Sequence, residues 1–422
     1  MARAGGSGAG GPGAGARNYA IVTAAYWGFT LSDGALRMLV LFTFFKLGYS
    51  PFTLAVLFML YEAAGIGANM IGGWLATRHG IRRMLIVGLA TQIAGFVILS
   101  AMNPGWEAAL LVSWVVLAQG VCGIAKDLTK TASKSAIKLT AVEAQSGAEG
   151  RLFRWVAWFT GSKNAMKGAG FFLGGVLLEA FGFRLSLWLM AGALALVLAG
   201  VVLSLPPLKG RARASSNARE LFGKSRGVNL LALARIGLFG ARDVWFVVGV
   251  PVFLYAAGWT FPMVGAFLAL WTIGYGLVQA AAPAVVRRSA DGLSREAPAA
   301  RAWSLALTLV PLALALVLAL GPPRPDIVLV AGLCLFGAIF AVNSSVHSYL
   351  ILAYAGSEKA AEDVGFYYAA NAAGRFMGTA LSGLLYQWGG LQACLIGSGL
   401  MLATCWLATQ WLPGNAQEPA SP

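Results

Sequence analysis

Nine ionisable side chains fall inside long apolar stretches of this chain, and six of them are cations: Arg37, Lys163, Lys167, Arg235, Arg242 and Arg375. The three acids are Asp33, Glu62 and Asp243. An ionised group at the centre of a bilayer costs roughly 2.5–3.5 kcal/mol on insertion scales, so each needs a reason to be there. On a helix, Asp33 and Arg37 stand one turn apart and are able to neutralise each other. Lys163 and Lys167 have the same spacing but the same sign. Stacked lysines on one face either lose a proton or face an anion. Asn371 and Arg375 repeat the geometry near the other end of the chain. Arg242 and Asp243 are adjacent and suit a structural contact, whereas Arg235 near a helix end suits snorkelling to the surface. Asn343-Ser344-Ser345 and His347 add a polar cluster to an otherwise apolar run. His347 either titrates near neutral pH or is a hydrogen-bonded structural group. The candidate binding set is therefore Arg37, Lys163, Lys167, Arg242, Asn343, Asn371 and Arg375. The candidate proton carriers are Asp33, Glu62, Asp243 and His347.

The elements that position these residues follow from composition. Of 422 residues, 58% are hydrophobic and 11% charged, and the mean hydropathy is +0.73. Soluble domains carry roughly 25% charged residues, so most of this surface faces lipid. Applying a length of about 20 apolar residues per crossing, spans are expected near 19–46, 52–76, 83–102, 107–125, 153–178 and 185–205. They resume near 228–256, 262–283, 302–320, 327–352, 364–387 and 391–411. The expected architecture is an all-α membrane protein, with twelve transmembrane helices in two pseudo-symmetric six-helix bundles. The bundles cover 19–205 and 228–412, joined by a basic cytoplasmic linker at 206–227. Tails at 1–18 and 413–422 flank them, the first expected to be disordered.

The net charge of +15 does not imply nucleic acid, because most cations lie between the spans. Arg78, Arg82, Arg83, Lys130, Lys134, Lys138, Arg151, Arg287, Arg288, Arg295, Lys359 and the linker collect on one side. Only Lys46, Arg184 and Arg324 fall opposite. By the positive-inside rule, both termini and the linker are cytoplasmic, in a cell's inner (plasma) membrane. Lys126, Lys130, Lys134 and Lys138 form a cationic stripe, either a surface helix on anionic lipid or a mouth that draws in anions. Lys126 and Asp127 form a near-neutral pair. Phe153, Trp155, Trp158 and Phe159 suit interfacial anchoring.

The two halves repeat at an offset of about 210 residues, as parallel transporter repeats do. Asp33 matches Asp243, and Leu47-Gly48-Tyr49-Ser50 matches Ala257-Gly258-Trp259-Thr260. Gly170, Gly175 and Gly182 match Gly378, Gly383 and Gly390, a register that pairs Lys167 with Arg375 and Lys163 with Asn371.

The loop Gly73-Trp74-Leu75-Ala76-Thr77-Arg78-His79-Gly80-Ile81-Arg82-Arg83 resembles the signature between the second and third helices of the major facilitator superfamily. Gly73, Arg78, Gly80, Arg82 and Arg83 carry the match, while Thr77 stands where the family usually has Asp. A closer resemblance, to the ArsJ-type organoarsenical efflux permeases, covers the N-terminal half. It rests on Phe29-Thr30-Leu31-Ser32-Asp33-Gly34-Ala35-Leu36-Arg37, Gly123-Ile124-Ala125-Lys126-Asp127-Leu128-Thr129-Lys130 and Gly161-Ser162-Lys163-Asn164-Ala165 with Lys167-Gly168. That resemblance implies export of 1-arseno-3-phosphoglycerate, an adduct made by a glyceraldehyde-3-phosphate dehydrogenase, which becomes a functional partner. Outside the cell the adduct decomposes to arsenate and 3-phosphoglycerate, giving arsenate resistance.

The residues alone point to an organic anion, phosphate or carboxylate, moved by alternating access. Alternatives are uptake or exchange of another phosphorylated or carboxylated metabolite, and a non-transporting sensor on the same fold. Cys122, Cys334, Cys394 and Cys405 are scattered, with no metal-ligand spacing, and are expected as small buried hydrophobes. No metal, cofactor or nucleic acid is implied, and no nucleophile–base pair or phosphate-binding loop supports an enzyme or ATPase. The expected partners are a small anionic substrate and the bilayer, with a monomeric chain; titratable Asp33, Glu62 and His347 make proton coupling, in an antiporter, the default.

Overall fold

A computed structural model describes residues 12–143, 149–206, 224–286, 289, 291–355 and 360–413. Side chains are described outside 12–16, 68–79, 134, 137–143, 149–161 and 360–362. The described residues form eleven helices and no strand. They are α1 (Pro12–Lys46), α2 (Pro51–His79), α3 (Ile81–Ser100), α4 (Ala108–Glu143), α5 (Glu149–Ser204) and α6 (Arg226–Phe246). After these come α7 (Gly249–Ala256), α8 (Phe261–Val285), α9 (Glu296–Ala319), α10 (Pro325–Tyr354) and α11 (Ala360–Gln410).

Eleven helices make twelve crossings because two are double and two form one. Among the described residues, nine helical runs are long and apolar enough to cross a membrane, and α2 adds the shorter apolar stretch Pro51–Gly67. The runs Ser162–Ser204 and Asp363–Gln410 hold 43 and 48 residues. At 1.5 Å per residue each is roughly twice the ~30 Å hydrocarbon thickness. Each folds back at glycine: α5 at Gly182 (φ 69°) and α11 at Gly390 (φ 61°). Only glycine takes such positive φ readily, so the matched pair Gly182/Gly390 places the same turn in both halves.

The other matched segment is also a matched structure. α1 and the α6–α7 run end in Gly48 (φ 82°) and Gly258 (φ 91°). In both, the following amide reaches back five residues, Tyr49 N to Phe44 O and Trp259 N to Leu254 O. This is the glycine stop of a helix C-terminus. Ser50 and Thr260 then cap the next helices by accepting from the amides of Thr53 and Met263.

α6 and α7 are one run interrupted at Val247 and Val248. Pro251 explains the break, since it has no amide and its ring clashes with the carbonyl four residues earlier. The freed amides of Val248 and Gly249 donate to the Ser382 hydroxyl on α11, at 3.1 and 3.3 Å.

Within the halves, α1 packs on α5 and α6 on α11; between them, α5 meets α8 and α2 meets α11. The repeated glycines make these approaches possible. Gly170 lies against Leu31 and Gly34 of α1, and Gly378 against Gly240 and Asp243 of α6. Gly175 abuts Phe261 and Pro262 at the start of α8, and Gly383 abuts Pro51 and Phe52 at the start of α2. The outer surface is apolar, with Leu203 86% exposed, as a lipid-facing surface must be.

Two expectations need correction. α1 begins at Pro12, so helix covers part of the segment expected to be a disordered tail. Cys334 is exposed rather than buried, because its position on α10 faces outward; Cys122, Cys394 and Cys405 are buried. The linker segment 207–223, Arg287 and Arg288, Lys359 and the 414–422 tail lie outside the described residues.

Candidate functional site

Two cavities lie between the halves and share a wall. The first, about 100 Å³, is lined from α1, α2, α4, α5 and α11, including Asp33, Glu62, Lys126, Lys130, Lys163, Lys167, Asn371 and Arg375. The second, about 50 Å³, is lined from α1, α5, α6, α8 and α11, including Arg37, Asn164, Lys167, Arg242, Asp243, Trp271, Tyr275 and Arg375. Lys167 and Arg375, the pair related by the internal repeat, border both. Helical spacing on α5 puts Lys163 and Lys167 on one face, and both line the first cavity.

Glu62 and Asp243 sit in a chain of ion pairs that crosses the interface. Glu62 on α2 accepts from Arg37 at 2.5 Å and from Arg375 on α11 at 2.7 Å, both at Oε1. Its Oε2 lies 3.8 Å from Lys126 Nζ. Arg375 also donates through Nε to Asp243 at 3.2 Å, and Asp243 accepts from Arg242 at 2.5 and 2.7 Å. Arg375 is thus paired with an acid from each half. The sequence spacing could not show this because Glu62 is 313 residues away.

Asp33 and Arg37 do not pair with each other despite their spacing. Asp33 accepts from the Tyr61 hydroxyl at 2.6 and 2.8 Å, while Arg37 turns to Glu62. Lys126 likewise reaches Glu62 rather than neutralising its neighbour, and Asp127 pairs with Lys130 at 3.8 Å. Tyr61 was not foreseen. Its ring faces Lys126 Nζ at 3.8 Å and Arg37 at 5.5 Å, so one residue holds an acid by its hydroxyl and two cations by its π face. Asn164, Trp271 and Tyr275 were also missed, being indistinguishable in sequence from packing residues.

Other candidates lie away from the cavities. Asn343 is fully buried and bonds Ser304 of α9 at 3.1 Å. Arg235 does not snorkel: it is 4% exposed, donates to Ser344 O and Oγ at 3.2 and 3.1 Å, and stacks on Phe239 and Tyr367. His347 is fully buried, with neither ring nitrogen hydrogen-bonded. Neither Asn343 nor His347 lines either cavity. Of the loop motif, Gly80 supplies the positive-φ break (79°) between α2 and α3, and Arg82 donates to Val202 O at 2.7 Å. Arg83 is exposed. The side chains at 73 and 78, at 134 and 138, and at 151–161 lie outside those described.

The described contacts between halves lie at mid-height and at the end away from the linker. At that distal end, Phe42 packs on Phe261 at 4.6 Å, and Phe45 meets the Tyr255 ring edge-on at 5.6 Å. Phe52 N donates to Gln387 Oε1 at 3.3 Å. The linker end is marked by Arg17, which donates to Ser204 O. Among the described residues, the first cavity thus reaches away from the sealed end, toward the linker.

Two helical halves closing around a polar central cavity define a multi-pass membrane carrier rather than an enzyme. The Major Facilitator Superfamily model matches residues 22–299, and the chain belongs to that family of transporters. Its structure is similar to the crystal structure of a point mutant of the nucleoside transporter NupG, with a TM-score of 0.70 over 94% of this chain and 98% of that one. At 14% identity the likeness concerns the fold. No curated protein matches the chain in sequence.

Proposed function

We propose that this secondary transporter exports an organic anion, 1-arseno-3-phosphoglycerate, and thereby confers arsenate resistance. One observation carries the anion: seven cations (Arg37, Lys126, Lys130, Lys163, Lys167, Arg242, Arg375) line the two cavities against four carboxylates (Asp33, Glu62, Asp127, Asp243). A substrate rich in anionic oxygens offsets that excess. Arginine offers a planar fork to a phosphate or arsenate group, and lysine a point charge. A neutral hydrophobic substrate offsets nothing. Trivalent arsenic calls for clustered thiols, and the four cysteines are scattered.

The arsenate adduct itself is suggested by the resemblance of the N-terminal half to the ArsJ-type permeases. With the linker in the cytoplasm of an inner-membrane protein, the cavity is loaded from inside, which suits export. A glyceraldehyde-3-phosphate dehydrogenase supplies the substrate there, and the chain works as a monomer.

Cells expressing the chain together with that dehydrogenase are expected to gain arsenate resistance, and inverted vesicles to accumulate the enzymatically made adduct. Repeating the vesicle assay with and without a proton gradient tests antiport. Phosphate-ester uptake with no gain in resistance would replace export by an uptake or exchange carrier. No flux of any anion would leave a sensor.

A further inference from the structure

We infer that Glu62 is a tethered stand-in for the transported anion, holding in the empty carrier the cations that the substrate takes over, and so letting the empty carrier reorient. The inference rests on the anion reading above. Glu62 is 2% exposed on the wall of the first cavity. Its carboxylate gathers Arg37 and Lys126 from one half and Arg375 from the other. The other acids that line the cavities are held differently. Asp33 is taken by Tyr61, and Asp127 by Lys130 of its own helix. Asp243 is held by Arg242 and Arg375 of its own half. Among the described residues, Glu62 is the carboxylate that makes an ion pair across the halves.

A phosphate or arsenate oxygen presents the same acceptor to the same donors. Substrate and Glu62 therefore compete for Arg37 and Arg375. Removing one partner of a buried ion pair leaves an uncompensated charge, which is strongly unfavourable. Without Glu62 the halves close only around a bound anion, and the carrier becomes an exchanger. With Glu62 the empty carrier also closes, and net export follows.

The test uses the full chain in proteoliposomes with 3-phosphoglycerate as probe, measuring exchange across the membrane and net efflux into anion-free buffer. For Glu62→Gln, the ratio of net efflux to exchange is expected to fall at least about tenfold, with a lower half-saturating concentration for exchange because the competitor is gone. Glu62→Ala is expected to show the same defect and to recover net efflux when acetate is supplied as a free carboxylate. A ratio equal to wild type overturns the inference. Equal loss of both fluxes does so too, as does a Glu62→Ala carrier that acetate does not restore. If either variant fails to assemble, the other decides. If the wild type carries only the enzymatically made adduct, the same ratio is read with the adduct, and a wild type that carries neither anion removes the anion reading itself.

Discussion

Lys167 brings a charge to both cavities with no acid beside it among the described residues. Among the described residues no carboxylate lies within ion-pair distance of it, and its ammonium stands 5.6 Å from the Phe171 ring. Arg375, its counterpart in the other half, has Glu62 at 2.7 Å and Asp243 at 3.2 Å. Neutralising the two should therefore have opposite effects on stability. Lys167→Met removes a buried charge with no acidic partner among the described residues, so the thermal midpoint in detergent is expected at or above wild type while anion flux falls at least about tenfold. Arg375→Met takes the cation that two acids share, leaving Glu62 to Arg37 and Lys126 and Asp243 to Arg242, and is expected to lower the midpoint. Equal midpoints for the two variants would contradict this difference in pairing. The contrast was only half visible in the sequence. Helical periodicity alone puts Lys163 and Lys167 on one face, because that rule is local. The partners of Arg37, Asp33 and Lys126 were misjudged because each had an acceptable neighbour in sequence and a different one in space. Tyr61 gave no signal at all, since a tyrosine in an apolar span is ordinarily packing.

At the scale of elements, the glycines rather than the charges let the helices approach. A β-carbon on Gly170 would lie 3.0 Å from the Gly34 Cα, and one on Gly378 would lie 3.0 Å from the Gly240 Cα. Both would meet backbone, which cannot rotate aside. Gly170→Ala and Gly378→Ala are each expected to destabilise by about 1–3 kcal/mol, as overpacking does. Gly192 is a control on the same α5, with nothing within 4 Å of its β-position. Gly192→Ala is expected to be neutral or to stabilise by up to about 1 kcal/mol through helix propensity. Thermal melts of the three purified variants check the order, and a Gly192 change as damaging as the others would refute it. These positions were legible as a repeat, because Gly170, Gly175 and Gly182 recur together 208 residues later. What they touch was not legible, since spacing along one helix says nothing about which neighbour arrives. The α6–α7 break was missed for a different reason. Pro251 is a helix breaker by itself, but whether the Val248 and Gly249 amides left over at the break find Ser382 on α11 depends on packing between helices.

For the whole molecule, the distribution of contacts implies which end must open for transport to finish. The halves are joined at mid-height by Glu62 and Arg375. At the distal end they are joined by Phe42 with Phe261 and Tyr255, by Phe45 with Tyr255, by Phe52 with Gln387, and by Gly383 against Pro51. The first cavity lies on the linker side of that seal. Release on the opposite face requires the distal contacts to separate while the linker end closes, a rocking of one bundle against the other. A tether across the distal end should therefore arrest the cycle with the cavity still loadable from the linker side. Cysteines at Phe52 and Gln387, joined by a reducible thiol cross-linker, provide such a tether. The work is best done with Cys334→Ser, because Cys334 is the exposed native thiol among the four. Cross-linking is expected to reduce vesicle transport to about a tenth or less, as expected when a required domain motion is blocked. Binding of 3-phosphoglycerate should persist, and reductant should restore flux. Undiminished transport by the fully cross-linked protein would mean that the distal seal is not a moving part.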